Sequence, residues 1–404
     1  MTIHELFFPQ PIFSGEEADP PIVPRVLIAP HRYIQGKGVL DHLGRYLSLI
    51  SSKQAALLIF AEGSEQIGKR IIQSLQQAQV HPVMVTFGGE CSHEEVDRVL
   101  AILNSEDTPV DCLIAVGGGK CLDTGKNVAY RLSIPVVICP TIASTDAPCS
   151  AASVMYTQEG VLKGAEFYPN SPAIVVVDTG VIAEAPVRHL ISGMADALAT
   201  CYETRTCFHN PQARSIVGAR ITLAAVTIAE VCAKTVFDYG LEAAAAVRHR
   251  EVNEALERVV EANTLLSGVG FESGGLAAAH AVAGGLTELP TVHENFLHGE
   301  MVALGILSHL MLEGDLDEAK RVARFMAKLG LPVHLGHLAL DPDKDFEVLH
   351  EAMAAGMATS PFVHNEPFEV TAEKILTALL QAHKLGLEVT VSIGDAAYRE
   401  IHLP

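Results

Sequence analysis

Asp111-Cys-Leu-Ile-Ala-Val-Gly-Gly-Gly-Lys-Cys-Leu-Asp123 is the stretch on which the fold turns. A short apolar run, residues 112–116, stops at three glycines, and a helical pattern over 120–131 begins at once. Glycines let an anion approach the backbone, and the first N–H groups of the following helix point at it. The stretch reads as the pyrophosphate cradle of a dinucleotide site; the alternative is a tight strand-to-helix turn without a ligand. It is neither G-x-G-x-x-G, because Lys120 follows the third glycine, nor a Walker A loop, which needs glycine and Ser/Thr where Lys120 and Asn127 stand.

Strands and helices alternate on both sides of this turn. Residues 25–30, 55–62, 82–87, 134–139 and 173–178 read as strands. Residues 64–79 repeat at helical spacing, and Ser92-His-Glu-Glu95 is a capping box before Val96, Leu100 and Leu103. Residues 153–167 suggest a hairpin bending at Gly160 and Gly164. This pattern predicts a doubly wound, mostly parallel sheet with ligands beyond the strand ends. Past residue 187 only helices follow, over 188–206, 211–237, 242–268, 273–286, 294–313, 316–329, 346–358 and 372–384. The expected organisation is an extended arm over 1–24, an α/β Rossmann-like dinucleotide domain over 25–187 and an all-α domain over 188–404, with a cleft between the two domains.

Composition narrows the function. The 404 residues carry a net charge of −20, which disfavours nucleic acid and anionic lipid as partners. Eight cysteines without a C-x-x-C pair read as reduced thiols of a cytoplasmic protein. The N-terminus lacks a basic start before an apolar block, and no apolar run is long enough to span a membrane.

Several side chains could carry chemistry. Glu62, at a strand end, can accept both ribose hydroxyls and would repel a 2′-phosphate, favouring NAD; it could equally be an ordinary surface acid. Lys120 could neutralise a pyrophosphate, and Asp123 either joins it or only complements the helix dipole. Asp146, in a Thr- and Ser-rich loop, could bond a substrate hydroxyl or merely form a turn. Asp196 lies in the small-residue stretch 192–200, His280 in the equally apolar stretch 274–285, and His298 in Phe296-Leu-His-Gly-Glu300. One carboxylate and two imidazoles with an open fourth position make a catalytic zinc pattern. The spacing is not diagnostic, and backbone-bonded core histidines are the alternative. His293 is a further ligand candidate.

Five motifs together resemble one family: residues 117–126, 140–148, 193–200, 275–280 and 298–300. They are similar, in order and over most of the chain, to the glycerol dehydrogenase branch of the family shared by iron-dependent alcohol dehydrogenases and dehydroquinate synthases. The resemblance implies NAD bound by Glu62, Gly118, Gly119, Lys120, Asp123, Thr141, Ser144, Ser150, Ala152 and Tyr156. It implies zinc (Zn2+) on Asp196, His280 and His298, with Asp146 touching a polyol. A homo-oligomer, a ring such as an octamer, is also implied. The iron-dependent members place a histidine four residues after the aspartate; here Thr200 stands there, which favours zinc. Departures from the family pattern are Glu62, Cys121, Ala152 and Cys201, the last expected to reshape the substrate pocket. The function implied is reversible, zinc-assisted, NAD-dependent oxidation of glycerol to dihydroxyacetone. The alternatives are a dehydroquinate-synthase-like cyclase, a glycerol-1-phosphate dehydrogenase and a non-catalytic NAD-binding module. Both phosphate-handling alternatives lack cations, since Arg258 is the only Lys or Arg between Arg250 and Lys320.

Overall fold

A computed structural model describes residues 6–13, 22–60 and 64–403. Glu62 and much of the arm, residues 1–5 and 14–21, lie outside the described residues. Within the arm, Gln10–Phe13 forms one helical turn, and Phe7 bridges to Phe167.

Six strands form one parallel sheet: β1 (Tyr33–Gly36), β2 (Gln54–Phe60), β3 (His81–Phe87), β4 (Cys112–Gly117), β5 (Val136–Pro140) and, after an antiparallel hairpin of β6 (Ala152–Tyr156) and β7 (Leu162–Phe167), β8 (Ile174–Asp178). Their spatial order is β1-β8-β5-β4-β2-β3. The chain leaves β2 toward one edge and returns to β4 on its other side, so the direction of winding reverses between β2 and β4. In such a sheet that reversal opens a crevice at the strand ends, here beside Gly117.

Period-two alternation makes β4 a central strand. Leu113 and Ala115 enter the core on one face, while Cys112, Ile114 and Val116 enter the core on the other. Helices α1 (Glu65–Gln77), α2 (His93–Asn104) and α3 (Gly119–Leu132) belong to this half. Ser92 Oγ caps α2 by accepting from Glu95 N at 3.1 Å, but the reciprocal half of the capping box is absent: the Glu95 carboxylate accepts from Gly88 N instead.

The second half is helical: α4 (Val187–His209), α5 (Leu223–Arg248), α6 (Glu254–Glu261), α7 (Ser267–Gly274), α8 (Ala278–Thr287), α9 (His298–Glu313), α10 (Leu316–Leu329), α11 (Phe346–Thr359), α12 (Ala372–Ile393) and α13 (Ala396–His402). A parallel sheet followed by a helical domain is the architecture the sequence predicts. No helix among the described residues is long and apolar enough to cross a membrane.

Some boundaries differ for identifiable reasons. Residues 25–30 do not join the sheet. Val26 N donates to Arg220 O and Ile28 N to Ser273 Oγ, so this segment is bonded to the helical half, and Tyr33–Gly36 takes the edge. The helix predicted from 211 starts only at Leu223, after a turn at Gly218, whose φ of 84° lies in the left-handed region. It then continues to Arg248 and breaks before Arg250 at φ 54°. Gly160 makes the hairpin bend, but Gly164 lies inside β7, opposite Met155.

Candidate metal and coenzyme site

Close helix packing brings the site together. Gly193 of α4 lies against the loop after β5; a Cβ there would come within 2.0 Å of Ala143 O. Gly299 of α9 lies against α4, where a Cβ would meet Ser192 O at 1.9 Å. These two contacts bring Asp146, Asp196 and His298 to one place. Gly299→Ala should therefore push α9 off α4 and weaken metal retention at least tenfold, since altered support of a ligand typically costs that much. Chelator competition checks this, and unchanged retention would contradict it.

Asp196, His280 and His298 form the one group of three or more His, Cys, Asp or Glu among the described residues that could hold a metal ion; their ligand atoms lie within 4.8 Å of one another. Asp196 Oδ1 is 3.4 Å from His280 Nε2 and 3.3 Å from His298 Nε2. It is buried without a hydrogen-bond partner. An orphaned carboxylate oxygen facing two imidazole nitrogens is costly unless a cation sits among them, so these residues fit a divalent ion. The His298 side chain is 44% exposed while those of His280 and Asp196 are 11% and 1%, so the site opens on the His298 side.

Burial alone would raise the Asp196 carboxyl, but the two imidazoles hold it well below the usual range. Asp146 goes the other way: burial, then the Asp196 charge, pushes it well above the usual carboxylate range. Asp146 N donates to Asp196 Oδ2 at 3.1 Å, and Ser267 Oγ donates to Asp146 Oδ2 at 3.3 Å.

Three supports escaped the sequence reading. Glu203, fully buried on α4, holds His280 Nδ1 at 2.5 Å and leaves Nε2 to face Asp196. Its signal was available, since Asp196, Thr200 and Glu203 share one helix face at i, i+4 and i+7. Asn263 lies in a π-helical turn, Ala262–Leu266, a distortion often found at functional sites. Its Nδ2 donates to Ala143 O at 2.9 Å and Leu190 O at 3.1 Å, tying the Asp146 loop to α4. Ser267 links Asp146 to Thr200.

At the other end of the same loop lies the glycine turn. Gly118 stands at the N-cap of α3 in extended conformation and, as a glycine, offers no side chain to cap it. A Cβ on Gly118 would meet Ile142 Cδ1 at 3.0 Å, and one on Gly119 would lie 3.7 Å from Thr145 Oγ1. Lys120 reaches Glu90 at 2.5 Å and lies over the Tyr156 ring at 4.8 Å. Thr141 N donates to Gly117 O at 3.0 Å. Ser144 is buried, its carbonyl 3.4 Å from Ser192 Oγ.

Asp123 does not reach the crevice. It is buried, one oxygen on Lys126 Nζ at 2.9 Å and the other on Val154 N at 2.9 Å. Lys126, also buried, further donates to Ala147 O at 2.6 Å, Ser150 Oγ at 3.1 Å and Ala152 O at 2.9 Å, and so fixes the Ala147–Ala152 loop. Cys121 points inward to Val116 O. Cys201 does not shape the metal pocket. It lines a groove of about 400 Å³ with Arg205, Glu230 and Phe237, on another face of α4. His293 stays outside the ligand group; its Nε2 lies 3.8 Å from where a Gly160 Cβ would stand. All eight cysteines are unpaired thiols.

Glu272 holds the loop from the helical side, accepting from Ala151 N at 3.0 Å. Burial pushes its carboxyl up to about 7 from 4.5. The unfolded chain ionises this group first, so its contribution to stability is complete below about pH 4.5 and lost as pH rises through 7. That loss is at most about 3 kcal/mol. Glu272→Gln should flatten the fall in Tm between about pH 5 and pH 8 relative to the unchanged chain; equal slopes would contradict the assignment.

The family model described as "Iron-containing alcohol dehydrogenase" matches residues 30–179. The chain is 42% identical to glycerol dehydrogenase of Thermotoga maritima over 360 residues, 89% of this chain and 97% of that one. It is 42% identical to glycerol dehydrogenase of Escherichia coli O6:H1 over 368 residues, 90% of this chain and 97% of that one. The crystal structure of glycerol dehydrogenase from Schizosaccharomyces pombe superposes with a TM-score of 0.87 at 34% identity, covering 94% of this chain and 97% of that one. With this identity extending over nearly its whole length, the chain belongs to the glycerol dehydrogenase family of oxidoreductases, within the iron-containing alcohol dehydrogenases.

Proposed function

We propose that the protein oxidises glycerol to dihydroxyacetone with NAD, reversibly, at a zinc ion held by Asp196, His280 and His298. One observation carries this reading: a single loop touches both halves of the chemistry. Ile142 and Thr145 lie against the glycine turn, and one residue later Asp146 N bonds Asp196. A hydride acceptor bound at the turn and a diol bound at the triad would thus be neighbours. We place the division between coenzyme and metal halves near residue 187, where α4 begins.

A divalent ion on the triad would act as a Lewis acid and ease loss of the carbinol proton. NAD would accept the hydride, the chemistry being the coenzyme's own. The chain's part is placement. Asp196 and His280 are fixed by burial, and His298 borders the open side where two vicinal hydroxyls can enter. Asp146 offers its carboxyl to a substrate hydroxyl; the same ion would oppose the upward push that Asp196 exerts on it. The uncapped end of α3 receives the pyrophosphate. Glu62, Thr141, Ser144, Ser150, Ala152 and Tyr156 complete the proposed coenzyme site, with Lys126 rather than Asp123 setting the loop that carries Ser150 and Ala152.

Zinc suits the donor set because Thr200 supplies no fourth imidazole; its hydroxyl bonds Ser267 instead. A neutral substrate suits the surroundings, since Arg258, the lone cation between Arg250 and Lys320, pairs with Glu254. The test is a panel of glycerol, other vicinal diols and simple alcohols with NAD and NADP, before and after chelation. Net NADH formation from glycerol, lost on chelation and restored by zinc, is expected. Turnover indifferent to chelation would overturn the metal assignment, and no net NADH would favour the cyclase.

A further inference from the structure

The turn that aims His280 is held by groups distant in sequence. Between α7 and α8 the backbone passes through Gly275 at φ 84° and Ala277 at φ −146°, ψ −133°, and Ala277, at the N-cap of α8, has no side chain able to cap it. The first N–H groups of a helix have no partner within it. Here two buried carboxylates take them. Glu203 Oε1 accepts from Ala277 N at 2.8 Å and His280 N at 2.9 Å, and Glu366 Oε1 accepts from Ala278 N at 3.2 Å. The neighbouring Asn365 donates to Leu276 O at 2.8 Å. Glu366 lies in the connection between α11 and α12, far from every motif. It is 3% exposed and would be an expensive charge alone. Its partner is His309 of α9, completely buried, whose Nδ1 is 3.1 Å from Glu366 Oε1 in an ion pair that lacks hydrogen-bond geometry. On the other ring edge, His309 Nε2 meets Thr206 Oγ1 at 3.3 Å and Glu313 Oε1 at 3.5 Å. Burial works against a charge on His309, but the carboxylates of Glu366, Glu313 and Glu203 together outweigh it, raising the imidazole to about 8.

We propose that His309 and Glu366 are positioning residues of the metal site: the buried pair locks the first turn of α8 so that His280 Nε2 faces Asp196, and metal affinity depends on it although neither residue touches the ion. The proposal rests on the metal reading above and extends it to a segment, residues 365–366, that no motif marks. The His309–Glu366 pair also joins α9, which begins with His298, to the turn that carries His280. Two of the three ligands are thereby held in one frame.

The experiment measures zinc(II) affinity by competition with a chromophoric chelator for the unchanged chain, Glu366→Gln and His309→Gln. Circular dichroism and Tm of the metal-free proteins report folding. Each single variant should bind zinc about ten- to a hundredfold more weakly, the range for groups that orient ligands. The KM for NAD should stay unchanged, which general loss of structure would not allow. The double variant should lose little more than the worse single, because the two residues act as one unit. Should a single variant fail to fold, the apolar pair His309→Leu/Glu366→Met removes both buried charges together and must show the same loss. Zinc affinity equal to the unchanged chain in folded variants overturns the proposal. An unchanged chain that binds no zinc at all overturns the metal reading beneath it.

Discussion

Replacing His280 with Ala should abolish metal binding at the proposed zinc site, lower turnover by at least about three orders of magnitude and leave NAD affinity within about twofold. His280 Nε2 is one of two imidazole nitrogens within 3.4 Å of the orphaned Asp196 oxygen. Removing it leaves one imidazole and one carboxylate, too few for a tight site. Glu203 then loses its imidazole partner, yet still accepts from the two backbone N–H groups of the turn, so the fold should survive. The glycine turn lies on α3 and is untouched. Metal analysis, steady-state kinetics and NAD titration of one preparation check all three parts. A metal-free variant with full activity would refute the mechanism.

The second large effect is on stability. Lys126→Met should cost about 3–5 kcal/mol, the usual result of stranding one partner of a buried ion pair. Among the described residues the ammonium is the only cation bonded to the buried Asp123 carboxylate, and it has three further acceptors, all in the Ala147–Ala152 loop. Its loss leaves that carboxylate on a single backbone N–H and unpins the loop. Urea unfolding should show the destabilisation, and the KM for NAD should rise because the loop proposed to carry the coenzyme contacts of Ser150 and Ala152 is no longer fixed. A variant as stable as the unchanged chain would mean that Lys126 is not the anchor described here.

What the sequence revealed followed from local rules. The strand, glycines and helix of residues 111–131 were readable because period-two burial, a glycine run and a helical repeat each leave a local signature. The same holds for helix 316–329, whose ends carry Asp315 as N-cap and Gly330 in the left-handed region. Asp196, His280 and His298 stood out as polar groups in Ala- and Gly-rich helices, but nothing local says that they converge. Their convergence depends on backbone approaches at Gly193 and Gly299, which are set by tertiary packing. Asp123 read as a residue joining the pyrophosphate site or complementing the helix dipole, and Lys126 was given no role, because the loop that buries both returns more than twenty residues later. Glu366 carried no signal, since it meets the N–H of a turn and an imidazole distant in sequence; of the groups around His309 only Glu313, four residues on, is local. Residues 25–30 were misread because an apolar run records burial and not which neighbour supplies the hydrogen bonds.

The most direct test is anomalous diffraction at the zinc edge from crystals of the protein grown with zinc and NAD. The account predicts one strong peak within coordination distance of Asp196 Oδ1, His280 Nε2 and His298 Nε2, on the side facing the nicotinamide. A peak on other residues, or none at this triad in fully active protein, would contradict it.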